Sequence, residues 1–114
     1  MDFEEVILNT KEDKLGNILG ISVNAPLLEK ENDGYYFVQC PVFKTVGYST
    51  KSFEEAYRDH EVDLNLFFLS HIKRNTLKSA LHSLGWVKRN HHYQPPNVPA
   101  YLLKHSRRQV SMNV

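Results

Sequence analysis

The chain has one cysteine, Cys40, in 114 residues. That excludes an internal disulfide and any metal site needing two thiolates. A reduced, cytoplasmic setting fits this usage. Glycines number five and are scattered, so no glycine-rich phosphate-binding loop can be assembled. Low-complexity tracts and internal repeats are absent. Long apolar runs are missing too. Leu64 to Leu69 is among the longest, far below the roughly 20 residues of a membrane span. The first residues, Met-Asp-Phe-Glu-Glu, are acidic where a secretory signal peptide is positive. The sharpest absence is of acid after Asp63. Residues 1–70 hold 6 Lys/Arg and 13 Asp/Glu, a balance of −7. Residues 71–114 hold 8 Lys/Arg and no acid, a balance of +8. Such a split offers a basic surface to nucleic acid or to an acidic partner. It also lets the two halves attract each other, within a monomer or across a dimer.

What is present suits one domain, 1–114. Hydrophobic residues make up 41% and charged residues 24%, both near globular averages. Phe3 to Thr10, rich in Val, Ile and Leu, is expected to be a strand. Lys11 to Asn17 is polar and reads as a turn. Ile18 to Glu29 alternates Ile21, Val23 and Ala25 with Ser22 and Asn24, which is strand periodicity. Pro26 suggests an edge or a bulge there. Glu31-Asn32-Asp33-Gly34 signals a hairpin turn, with Tyr35 to Cys40 as the returning strand. Pro41 ends that strand, and Lys44 to Tyr48 reads as a third short one, weakened near Gly47.

The period then changes. Ser52 and Glu55 fit a capping box. Phe53, Ala56, Tyr57, Leu64, Phe67 and Phe68 form a helical stripe that includes His60. Asn75-Thr76 breaks this helix. Thr76 is placed to cap a second one carrying Leu77, Ala80, Leu81 and Leu84, with Gly85 as its left-handed stop and Trp86 folding back onto the core. Asn90 to Pro99, with its prolines, reads as a loop. Val98 to Leu103 is suited to local packing, and Gln109 to Val114 alternates as an edge strand. Residues 90–114 are thus a proline-containing loop plus a C-terminal strand. The expected fold class is α+β: two layers, with an antiparallel sheet of four to five strands and a long and a short helix on one face.

No catalytic constellation emerges. Cys40 has no histidine near it in sequence, and a nucleophile needs one with an orienting acid. His91 and His92 are adjacent, so on extended backbone their rings point opposite ways and suit joint metal ligation poorly. Neither a metal nor a cofactor is expected. Lys73, Arg74, Lys88, Arg89, Arg107 and Arg108 are the candidate contacts for a partner or for RNA.

Asp33-Gly34-Tyr35-Tyr36-Phe37-Val38-Gln39-Cys40-Pro41, then Val46-Gly47-Tyr48 and Ser52-Phe53-Glu54-Glu55-Ala56 occur in that order. Leu64-Asn65-Leu66-Phe67-Phe68, Thr76-Leu77, Leu81 and Leu84-Gly85-Trp86 follow. Together they resemble a HicB-like antitoxin domain, over about residues 33–86. The resemblance implies structural roles for Gly34, Cys40, Pro41, Gly47, Ser52, Glu55, Ala56, Gly85 and Trp86. It also implies a non-enzymatic protein, often a dimer, that neutralises a small HicA-type RNase. The separate DNA-binding domain of fuller antitoxins has no counterpart here. A second likeness lies in Gly85-Trp86-Val87-Lys88-Arg89-Asn90-His91-His92, which resembles the approach to the catalytic histidine of HicA toxins. Arg89-Asn90 stands where that family has Gly-Ser. An RNA-binding role, or an RNA-cleaving one through His92, is the alternative expectation.

Overall fold

The computed structural model describes residues 6–90, 92–97 and 107–113, with Arg107 and Asn113 described at the backbone. Two antiparallel sheets and two helices make an α+β fold. The strands are β1 (Leu8–Glu12), β2 (Ile18–Pro26), β3 (Leu28–Asn32), β4 (Tyr35–Cys40) and β5 (Thr45–Ser49). Helices α1 (Phe53–Lys73) and α2 (Leu77–Ser83) follow, then β6 (Val87–Arg89), β7 (His92–Gln94) and β8 (Arg107–Asn113). A large sheet has the order β6-β7-β1-β2-β8, and a small sheet has the order β3-β4-β5.

Local chemistry explains the turns. Asp13 Oδ1 accepts from the amides of Leu15 and Asn17, both at 2.9 Å, which closes the β1–β2 connection. Asp33 and Gly34 both have positive φ, +50° and +81°. That is the two-residue type I′ hairpin whose twist matches its strands. Ser52 Oγ accepts from Glu55 N at 3.2 Å and starts α1. Gly85, at φ +94°, stops α2, and Trp86 N donates to Leu81 O at 2.9 Å.

The buried cluster joins both sheets and both helices. It includes Leu8, Val23 and Leu27 with Val38, Val42 and Phe43, and Leu64, Phe68 and Leu81 with Trp86. Phe43 stacks on Trp86 at 5.1 Å and meets Phe68 edge-on at 4.9 Å. Trp86 Nε1 donates to Val42 O at 2.9 Å, so the indole brings no unpaired donor into the core.

Several expectations change. Among the described residues, eight strands in two sheets replace the single sheet of four to five. The run from Ile18 to Glu29 divides at Leu27, because β2 pairs with β1 and β8 while β3 pairs with β4. Lys11 and Glu12 belong to β1 rather than to a turn. His92–Gln94, inside the expected loop Asn90 to Pro99, is a strand that pairs with Val87–Arg89 as a hairpin. Its pairing to β1 through Leu8↔Tyr93 overrides the weak local signal. Thr76 makes no side-chain cap; its hydroxyl lies 2.7 Å from His71 Nδ1. Met1 to Glu5, His91, the stretch 98–106 and Val114 lie outside the described residues. Among the described residues, no helix is long and apolar enough to cross a membrane.

Candidate functional site

The small sheet positions the site. Along β4, Tyr36, Val38 and Cys40 turn toward α1, and Tyr36 meets Phe53 edge-on at 5.0 Å. Alternation sends Tyr35, Phe37 and Gln39 to the opposite face. The register sets Phe37 beside Tyr48 and Lys30, and Gln39 beside Val46 and Leu28. Tyr35, Phe37 and Tyr48 therefore form one ring cluster, with centroids 5.9–6.5 Å apart. Tyr35 is 45% exposed, Tyr48 47% and Val46 45%. The outward positions Leu28, Lys30, Asn32, Tyr35, Phe37, Gln39, Val46 and Tyr48 include no carboxylate. Glu29 and Glu31 alternate to the α1 side of β3, opposite Val38 and Tyr36, and exposed Asp33 and Asp59 stand at the borders of the outer face.

Why this face is held rigidly follows from the other side of the sheet. A Cβ at Gly47 would meet Ala56 O and His60 N at 2.4 Å, so the α1 backbone rests directly on this glycine. Asp59 Oδ2 accepts from Tyr48 N at 2.9 Å and fixes the outer edge of β5 to the helix. His60 is fully buried beneath β5, with Thr45 Oγ1 2.8 Å from its Nε2 and no partner at Nδ1. Burial first, and then the Arg108 charge, hold the imidazole below its ordinary pKa; Asp63 and Asp59 oppose them. Cys40 is buried, and burial pushes its thiol up to about 12. It packs as an apolar residue with its thiol held protonated.

The five expected basic contacts whose side chains are described do not form one patch. Lys73 and Arg74 end α1, where Arg74 Nε donates to Ser70 O at 3.3 Å. Lys88 Nζ lies 3.2 Å from Glu12 Oε1, and Lys78 Nζ lies 3.5 Å from the same oxygen. Arg89 is exposed on β6. Arg108 is largely covered: its Nη1 donates to Tyr57 O at 3.1 Å and lies 3.9 Å from Glu61 Oε2. Its guanidinium sits 5.8 Å from the centre of the Tyr57 ring. The Arg107 side chain lies outside the described atoms. Tyr57 and Lys73 are about 24 Å apart along α1 at 1.5 Å per residue, so these cations serve two separate places. Lys88 and Arg108 each meet an acid of the N-terminal half, which is the intramolecular form of the charge split.

The motif residues sit in turns, caps and packed positions. Gly34, Gly47, Gly85, Ser52 and Trp86 act as described above. Ala56 is buried against β5. Pro41 opens the turn in which Phe43 N donates to Cys40 O at 3.3 Å. Glu55 does not return to the Ser52 amide as a capping box would. Its carboxylate accepts from Ser49 Oγ at 3.1 Å, and Ser49 Oγ accepts from Lys51 N at 3.0 Å. His92 pairs with Arg89 and Asn9 in the sheet. Among the described residues, no three His, Cys, Asp or Glu side chains gather as a metal would need.

The aromatic face is the feature that sequence reasoning missed. Tyr35 and Phe37 counted only as strand formers. The available signal was that Tyr35 to Cys40 carries aromatic rings on both alternating faces while the helix covers one of them. No protein-family model matches the chain, and neither does any curated protein or solved structure.

Proposed function

We propose that this chain is a non-enzymatic interaction protein of the HicB-like kind. In this reading, the outer face of the small sheet holds a small protein partner with a basic surface. The observation that carries the proposal is the exposed cluster of Tyr35, Phe37 and Tyr48 on a sheet braced by α1. Tyrosine-rich centres with little lysine or glutamate are the composition of protein-binding hot spots. Asp33 and Asp59 at the borders of this face favour a cationic partner. A HicA-type RNase is the partner that the family resemblance implies, in a reducing, cytoplasmic setting. Self-association to a homodimer is part of the same reading. RNA binding by the basic half finds less support, because Lys88 and Arg108 are engaged by the chain's own groups and the cations divide between two ends of α1.

Co-purification of tagged protein from its native cell tests this. A single small basic protein should come down with it. The Tyr35→Ala/Tyr48→Ala variant should lose that protein while keeping its melting temperature within a few degrees. Retention of the partner by the folded double variant would exclude the aromatic face. A labelled-RNA shift at low salt that these substitutions leave unchanged would favour the basic half instead.

A further inference from the structure

The described residues present four outer strands: β3 and β5 in the small sheet, β6 and β8 in the large one. An unpaired edge is a template for another strand, and folded proteins blunt theirs with charge, capping groups or shortness. Three of these edges are blunted. β3 reads Leu-Glu-Lys-Glu-Asn, so a second copy paired about Lys30 would set Lys against Lys and Glu29 against Glu31. β5 has the Asp59 carboxylate on the Tyr48 amide. β6 has only three residues, Val-Lys-Arg. β8 differs. It runs for seven residues, Gln109 to Asn113 carry no charge, and no described strand pairs with its far side.

We propose that β8 is a self-association edge: two copies of this chain pair their β8 strands antiparallel about Val110, joining two five-stranded sheets into one. This register sets Gln109 opposite Ser111, Arg108 opposite Met112 and Arg107 opposite Asn113. Each cation thus faces a neutral residue, and no like charges meet. The two-fold contact is isologous and closes as a dimer. Val110 is buried and Met112 half-buried on the inner face, so pairing extends an apolar surface that already exists. The inference deepens the self-association part of the proposed function and does not use the aromatic face.

Sedimentation over a range of protein concentrations should show a monomer–dimer equilibrium. The Gln109→Lys/Ser111→Lys variant sets lysines opposite each other at two places on the exposed outer face. Its dissociation constant should rise at least about tenfold while its melting temperature stays within a few degrees. Mixing a Gln109→Cys protein with a Ser111→Cys protein under mild oxidation should give the mixed disulfide dimer in preference to either homodimer. The buried Cys40 does not compete. The Tyr35→Ala/Tyr48→Ala variant should remain dimeric even though it loses the protein partner, so the two readings fail separately. A monomer at every concentration, a dimer indifferent to both lysines, or a dimer lost in the tyrosine variant overturns the edge assignment.

Discussion

At Gly47 a single hydrogen stands where any side chain would strike the α1 backbone. The nearest atoms are a carbonyl oxygen and an amide nitrogen of the helix, not a movable side chain. Gly47→Ala should therefore lie at the upper end of overpacking costs, about 3 kcal/mol. Thermal unfolding should register it as a fall of roughly 12 °C for a domain of this size. His60, on the helix surface seated there, makes a second prediction. Its folded pKa is depressed, while unfolded chain has the ordinary 6.5. Unfolded protein then binds more protons below that pH. Stability is complete above about 6.5 and falls as pH drops toward the folded value. An NMR titration should find the His60 ring titrating below 6.5. A ring titrating at or above 6.5 would mean that the site is wet. The stripe position of His60 was legible in the sequence. Its complete burial was not, because that depends on the glycine across from it.

Among the elements, α1 was the most readable. Its cap, stripe and stop are local, and each is encoded within a few residues. Ser52→Ala should cost about 1 kcal/mol by denaturant titration, the loss of one satisfied amide at the helix start. The Glu55 half of the cap was not readable, since the carboxylate goes to Ser49 on β5, a neighbour brought there by the sheet. The hairpin at Asp33-Gly34 was equally plain, because two positive φ angles demand those residue types. The β6–β7 hairpin was not plain. Three-residue strands have little periodicity, and theirs is stabilised by pairing with β1. The division of the second strand at Leu27 was hidden for a related reason. Its alternation at Ile21, Val23 and Ala25 runs on to Leu27, and the change of partners beyond it has no local mark.

Across the whole molecule, Trp86 ties the end of α2 to the turn between β4 and β5. Trp86→Ala removes the Phe43 stack and the Val42 bond and should cost about 3–5 kcal/mol in equilibrium unfolding. Glu12 is the opposite case. Its bridges to Lys78 and Lys88 are partly solvated, so Glu12→Gln should change stability by about 1 kcal/mol or less, and added salt should reduce even that. The sequence by itself determined the α+β class, the long capped helix, the hairpin at Asp33-Gly34 and the place of Trp86 in the core. These follow from side-chain period and backbone preference, which act over a few residues. Only the tertiary structure decided that there are two sheets, that the basic residues divide between two places, and that Tyr35, Phe37 and Tyr48 share an open face. Those outcomes depend on which strand finds which partner and which face the single long helix covers. Contacts between residues far apart in the chain settle both.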